Sequence, residues 1–99
     1  MNLNIIVQPE AEVDLLEAVV WYENKLQGLG ESFLLNVEAT IRTIKRNPEA
    51  FPKVYKEIRR VLIKKFPFGI FYLIEKERIV ILAIFHASRS PKNWKGSAK

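Results

Sequence analysis

Cysteine is absent from the 99-residue chain. That excludes disulfides and thiolate metal sites, and it suits a reducing cytoplasm. Only one histidine and four glycines are present. The glycines form no phosphate-cradling loop, and no cluster of residues has metal-ligand spacing. No serine, histidine and aspartate fall in an order typical of a triad, so no cofactor or metal is expected. The longest apolar run, Ile79-Val80-Ile81-Leu82-Ala83-Ile84-Phe85, is far too short to span a bilayer. The stretch from Met1 to Glu10 lacks the basic start and apolar middle of a signal peptide. These absences predict a cytoplasmic protein with no membrane association. Residues 1–99 contain no repeat, low-complexity tract or linker, so the expectation is a single domain.

Charge is abundant but unevenly placed. Residues 1–41 carry seven acids and one base, Lys25, whereas residues 42–99 carry fifteen bases and four acids. The net charge of +5 therefore conceals an acidic first part and a basic second part. A basic part of this kind attracts nucleic acid or an acidic protein. The alternative is a solvated face that serves solubility.

The spacing of apolar residues gives the order of elements. Asn2 to Gln8 reads as a short strand with Leu3, Ile5 and Val7 on one side. Pro9 stops it and suits a first helical turn, where Glu10, Glu12 and Asp14 complement the helix dipole. Ala11, Leu15, Ala18, Val19, Tyr22 and Leu26 form one helical stripe. Gln27-Gly28-Leu29-Gly30 breaks that helix. A second helix is expected from about Glu31, with Phe33 or Leu34, Val37, Ile41 and Ile44 inward and Pro48 beyond its end. The short connection makes the two an antiparallel hairpin.

Pro48 to Val54 reads as a loop. Three strand-like runs follow, Tyr55 to Ile63, Phe68 to Ile74 and Arg78 to Phe85. The last is almost wholly apolar and belongs in the middle of a sheet. A short helix is expected over Pro91 to Lys95. Helices followed by strands indicate an α+β fold: a short N-terminal strand, the helical hairpin, then three antiparallel strands forming one small sheet on which the hairpin packs.

In this order the pieces resemble the RelE/ParE superfamily, the toxins of type II toxin–antitoxin modules, with the ParE-like branch favoured. The resemblance is carried by the opening strand with Pro9-Glu10-Ala11-Glu12, the hairpin broken at Gly28 and Gly30, and the Asn47-Pro48 exit. It continues in Phe66-Pro67-Phe68-Gly69-Ile70-Phe71-Tyr72 and in Ile84-Phe85-His86-Ala87-Ser88-Arg89-Ser90-Pro91 with Trp94. It implies a growth-inhibiting toxin neutralised by a cognate antitoxin, as a homodimer or a toxin–antitoxin hetero-oligomer. One branch of the superfamily poisons DNA gyrase, and the other cleaves messenger RNA on the ribosome. An inactive or generic basic binding module is the third reading.

The ribonuclease branch commonly has an arginine in the third strand, where this chain has Gly69. Trp94 has no titrating group to replace a terminal histidine or tyrosine. Cleavage by a 2′-hydroxyl needs a base, an acid and cations for the charge on phosphorus. If the chain is a nuclease, His86, Arg89 and Arg60 are the residues to supply them. His86 has a competing role, closing the strand end with a ring nitrogen bonded to backbone. Arg89 suits phosphate or carboxylate, or an internal ion pair with Asp14 or Glu17. Arg59 and Arg60 must point to opposite faces of their strand. Lys56, Arg60 and Lys64 share one side if that strand is regular, as a phosphate track or a charged edge. Lys56, Arg59, Arg60, Lys64, Arg89 and Trp94 are therefore the candidate contacts to target or antitoxin. Tyr22 fits the first helix's inward stripe, and Trp21 beside it is expected in the core or at its boundary.

Overall fold

The computed structural model describes residues 3–88. Strand β1 (Asn4–Val7) leads into helix α1 (Pro9–Lys25) and helix α2 (Leu29–Arg46), followed by β2 (Lys53–Tyr55), β3 (Ile58–Leu62), β4 (Phe68–Glu75) and β5 (Arg78–His86). The strands form one sheet in the order β1-β5-β4-β3-β2. β1 runs parallel to β5, and the other neighbours are antiparallel. The α+β architecture is as expected, but the sheet is mixed and has one more strand than predicted.

The extra strand arises at Lys56. Its φ of +52° lies in the left-handed region, so the chain turns at Lys56-Glu57 and folds Lys53–Tyr55 back on β3. The expected unbroken strand from Tyr55 to Ile63 is thereby split, and part of the expected loop becomes β2. Lys65 and Lys76 also have positive φ, 71° and 57°, in the β3–β4 and β4–β5 turns. Glycine is the usual occupant of such positions, but no glycine marks these turns in the sequence.

The helices cover one face of the sheet. Ala11, Ala18 and Tyr22 of α1 and Phe33, Val37 and Ile44 of α2 pack on Val61, Ile70, Tyr72, Ile79, Ile81 and Ile84, with Leu3 of the lead-in to β1. Tyr22, Phe33, Phe66 and Phe68 form an aromatic cluster with ring centroids 4.9–5.9 Å apart. Burial pushes the Tyr22 phenol pKa up. Leu26, read as part of the inward stripe, is 64% exposed. It follows the helix with extended backbone, φ −161°, so helical spacing no longer applies to it.

A second apolar cluster, Ile58, Phe71, Ala83 and Phe85, occupies the opposite face. β5 sits between β1 and β4 and is apolar on both faces, as its composition predicted. Across β4 and β5, Phe71 pairs with Ala83 but Tyr72 pairs with Ile81, so Leu82 is an extra, bulged residue. A bulge shifts the inside–outside alternation by one residue. Ile79 and Ile81 face the helices before it, and Ile84 does so after it.

α2 begins two residues earlier than expected. Gly28, at φ +90°, takes the left-handed position before it and has no side chain with which to cap it. Glu23 of α1 fills that role: the Gly28 N–H donates to its Oε2 at 2.8 Å and the Gly30 N–H to its Oε1 at 2.9 Å. A carboxylate on these first amides satisfies otherwise unpaired donors and complements the dipole.

Candidate functional site

The bulge decides what surrounds the single histidine. With the alternation shifted, His86 pairs with Phe68 across the strands, and its ring lies 5.8 Å from the Phe68 ring. Both side chains lie on the helix-covered side and line a groove between α1 and the β4–β5 strands. The groove has a volume of about 440 Å³ and is lined by Asp14, Glu17, Ala18, Trp21 and Tyr22 from α1, with Pro67, Phe68, Ile84, Phe85 and His86 opposite. Its walls are apolar and aromatic, and its charged groups from α1 are both carboxylates.

Two local devices shape the groove. β1 ends at Val7, so the later part of β5 has no strand beside it on that edge. Asp14 takes the place of a strand there: its Oδ2 accepts the Ile84 N–H at 3.1 Å. At the strand end, His86 Nδ1 accepts the Ser88 N–H at 3.2 Å and lies 2.8 Å from Ser88 Oγ. With Nδ1 as acceptor, the neutral ring carries its proton on Nε2. The ring thus closes the turn after β5, the structural role foreseen for it.

Arg60 lies on the other side of the sheet. It pairs with Phe71, and its stem covers Gly69 so closely that a Cβ on Gly69 would sit 3.2 Å from Arg60 Cγ. The space where a third-strand arginine would begin is therefore filled by a neighbouring arginine's stem. His86 and Arg60 are on opposite faces, and Arg89 lies outside the described residues. The His86, Arg89 and Arg60 constellation is not brought together among the described residues.

The other predicted contacts also separate. Arg59 faces the helix side, where its Nη1 donates to the carbonyls of Glu49 at 3.1 Å and Phe51 at 2.6 Å. Beside it, the buried Tyr72 hydroxyl donates to the Pro48 carbonyl at 2.6 Å. Burial drives the Tyr72 pKa up to about 12, partly opposed by the Arg59 charge. These two side chains bind the 47–52 loop to the sheet, so Arg59 works as an internal clasp. Lys56 stands 5.3 Å from the Tyr55 ring. Lys64 belongs to the β3–β4 turn and lines a depression with Asn36, Thr40 and Val61. Neither Lys56 nor Lys64 lies within β3, so the row with Arg60 is not set by strand geometry. Trp94 and the expected helix at Pro91 to Lys95 are outside the described residues.

Charge polarity nonetheless survives in three dimensions. α1 lies over β5 and carries five of the eleven acids, while α2 packs near β3 and has Arg42, Lys45 and Arg46 in its last turns. Lys53, Lys56, Arg60, Lys64 and Lys65 belong to the β2–β3 region, at the opposite sheet edge from β1.

Sequence reasoning missed the two carboxylates at work, Asp14 on Ile84 and Glu23 on the α2 start, because both act over tertiary contacts. It also placed Trp21 in the core or at its boundary. Trp21 is 55% exposed, edge-on to Tyr22 at 5.0 Å and under the Lys25 ammonium at 4.7 Å. Among the described residues no group of histidine, cysteine, aspartate or glutamate side chains can hold a metal ion. No helix among them is long and apolar enough to cross a membrane.

A small mixed sheet carrying an antiparallel helical hairpin on one face defines a two-layer α+β domain. The model of the ParE toxin of the type II toxin–antitoxin system parDE matches residues 5–91, and the chain belongs to that family. It is 28% identical over 92 residues to toxin ParE2 of Mycobacterium tuberculosis, covering 92% of this chain and 88% of that protein. Among solved structures, the chromosomal ParDE system from P. aeruginosa superposes with a TM-score of 0.76 at 12% identity, covering 85% of this chain and 95% of that one. A copper-bound mutant toxin from Helicobacter pylori superposes with a TM-score of 0.56 at 18% identity, covering 87% of this chain and 96% of the other. At these identities the structural matches establish the shared fold.

Proposed function

We propose that this ParE-family toxin arrests growth in the cytoplasm by binding DNA gyrase, and that a cognate antitoxin neutralises it. The observation that carries the reading is the separation of His86 and Arg60 by the sheet, with Gly69 beneath the Arg60 stem. Phosphoryl transfer needs a base and a charge-stabilising cation near one phosphorus, and these two residues face different sides. The cations of the β2–β3 edge and the end of α2 form the anion-facing region. The groove between α1 and β5 has the apolar lining and open mouth suited to a segment of the antitoxin that folds as it binds.

The test uses purified protein in two assays. Inhibited supercoiling by gyrase, relieved by antitoxin, with transcripts intact in a translating extract, is the expected pattern. Transcripts cut by the protein while supercoiling proceeds normally would establish the ribonuclease reading instead.

A further inference from the structure

α1 has two apolar faces, and only one of them is used within the fold. Ala11, Ala18 and Tyr22 face the sheet. On the opposite side, Val13, Leu16 and Val20 are 53%, 65% and 57% exposed. Their spacing is i, i+3 and i+7, which places them in one stripe along the helix. Isolated exposed apolar residues need no explanation, but a continuous stripe marks an interaction surface.

The residues beside the stripe indicate what it can accept. With Val13 and Val20 at the first and Leu16 at the fourth position of a heptad, Glu12 and Glu17 fall at the two flanking positions, and Glu10 lies one heptad before Glu17. In paired helices these flanks select the partner through charge. All three glutamates are exposed. No hydrogen bond or ion pair engages their side chains among the described residues.

We infer that the outer face of α1 docks an amphipathic helix of another protein, one with an apolar seam flanked on both sides by lysine or arginine. A second copy of this chain is disfavoured, because pairing the stripe with itself sets glutamate against glutamate in either orientation. An anionic lipid surface is disfavoured for the same reason, since membrane-lying helices carry cations on their flanks. The apolar stripe faces away from the groove, which lies on the sheet side of α1, and Glu17 borders both; the inference does not depend on which target the toxin poisons.

The probe is a synthetic three-heptad helical peptide with leucine along its seam and lysine on both flanks, compared with a glutamate-flanked twin. Binding to the intact protein is followed by fluorescence anisotropy. The lysine-flanked peptide should bind and its twin should not. Leu16→Ala combined with Val20→Ala should weaken binding on the order of tenfold or more, as for truncation of central interface residues. Glu12→Lys with Glu17→Lys should reverse the preference towards the glutamate-flanked peptide, which loss of folding cannot imitate. Circular dichroism melts unchanged from the parent will show that the variants fold. Equal binding of the two peptides, binding indifferent to the charge reversal, or no binding of either would overturn the inference. So would a homodimer that Leu16→Lys dissociates.

Discussion

Replacing Gly30 by alanine should loosen the hairpin, although alanine favours helices. A Cβ at position 30 would lie 2.6 Å from the Val19 carbonyl oxygen and 2.9 Å from Glu23 Oε1. The first neighbour is backbone of a packed helix and cannot swing aside. Overpacking of this kind costs about 1–3 kcal/mol. Moving Glu23 away also weakens its bond to the Gly30 amide, and a hydrogen bond to a charged group contributes about 1.5–3 kcal/mol. Alanine's helical preference over glycine returns at most about 1 kcal/mol. The net expectation is a loss of about 2–4 kcal/mol, or roughly 10–25 °C in Tm for a domain of this size. Urea titration followed by circular dichroism measures it, with an unchanged slope confirming that only stability moved. Gly28→Ala is the informative companion. Nothing lies within 4 Å of its added Cβ, but φ is +90°, so it should lose only about 1–2 kcal/mol through backbone strain. A Gly30→Ala protein as stable as the parent, or more so, would show that the helices separate without cost and would refute the close-packing argument.

Asp14→Ala should destabilise by about 1–3 kcal/mol by orphaning the Ile84 N–H, whereas Asp14→Asn, which keeps an acceptor, should retain most of the stability in the same urea titration. Tyr72 gives a pH signature. Its phenol has a pKa near 10 when unfolded and about 12 when folded, so its contribution is complete below pH 10 and falls as pH rises to 12. That amounts to about 2–3 kcal/mol, read as the extra alkaline loss of the parent over Tyr72→Phe; parallel losses would remove the basis for it. Lys76→Gly should raise Tm, because a lysine at φ +57° carries left-handed strain that glycine escapes; a lowered Tm would mean that the turn is held by the lysine itself.

Elements whose order follows from apolar spacing were readable in the chain. Ala11, Ala18 and Tyr22 were placed inward from periodicity alone, as were Val37 and Ile44, with Phe33 left open against Leu34, and the apolar run ending at Phe85 was placed centrally. The opposite faces of Arg59 and Arg60 followed from strand alternation. Three features were hidden for physical reasons. Lysines stand at left-handed turn positions, so the β2–β3 turn gave no glycine signal. Asp14 and Glu23 bond to amides that only the folded chain brings near. The stripe of Val13, Leu16 and Val20 was visible as spacing, but α1 already had a complete inward stripe, and composition does not say which of two apolar faces the sheet will cover.

The parity of β5 shows how much one residue controls the candidate site. Without the bulge at Leu82, strict alternation from Ile79 and Ile81 would turn Ala83 and Phe85 towards the helices. His86 would then share a face with the Arg60 side chain, and a base and a cation would stand on the same surface. The bulge moves His86 to the groove beside Asp14 and Glu17 and leaves Arg60 on the other side with Phe71. A reading from residue types alone groups His86 and Arg60 because both suit phosphate chemistry. Strand geometry separates them, and it does so through backbone pairing rather than through any side chain a motif would record. The separation of His86 from Arg60 in this chain therefore rests on the register between β4 and β5, where Phe71 pairs with Ala83 and Tyr72 with Ile81.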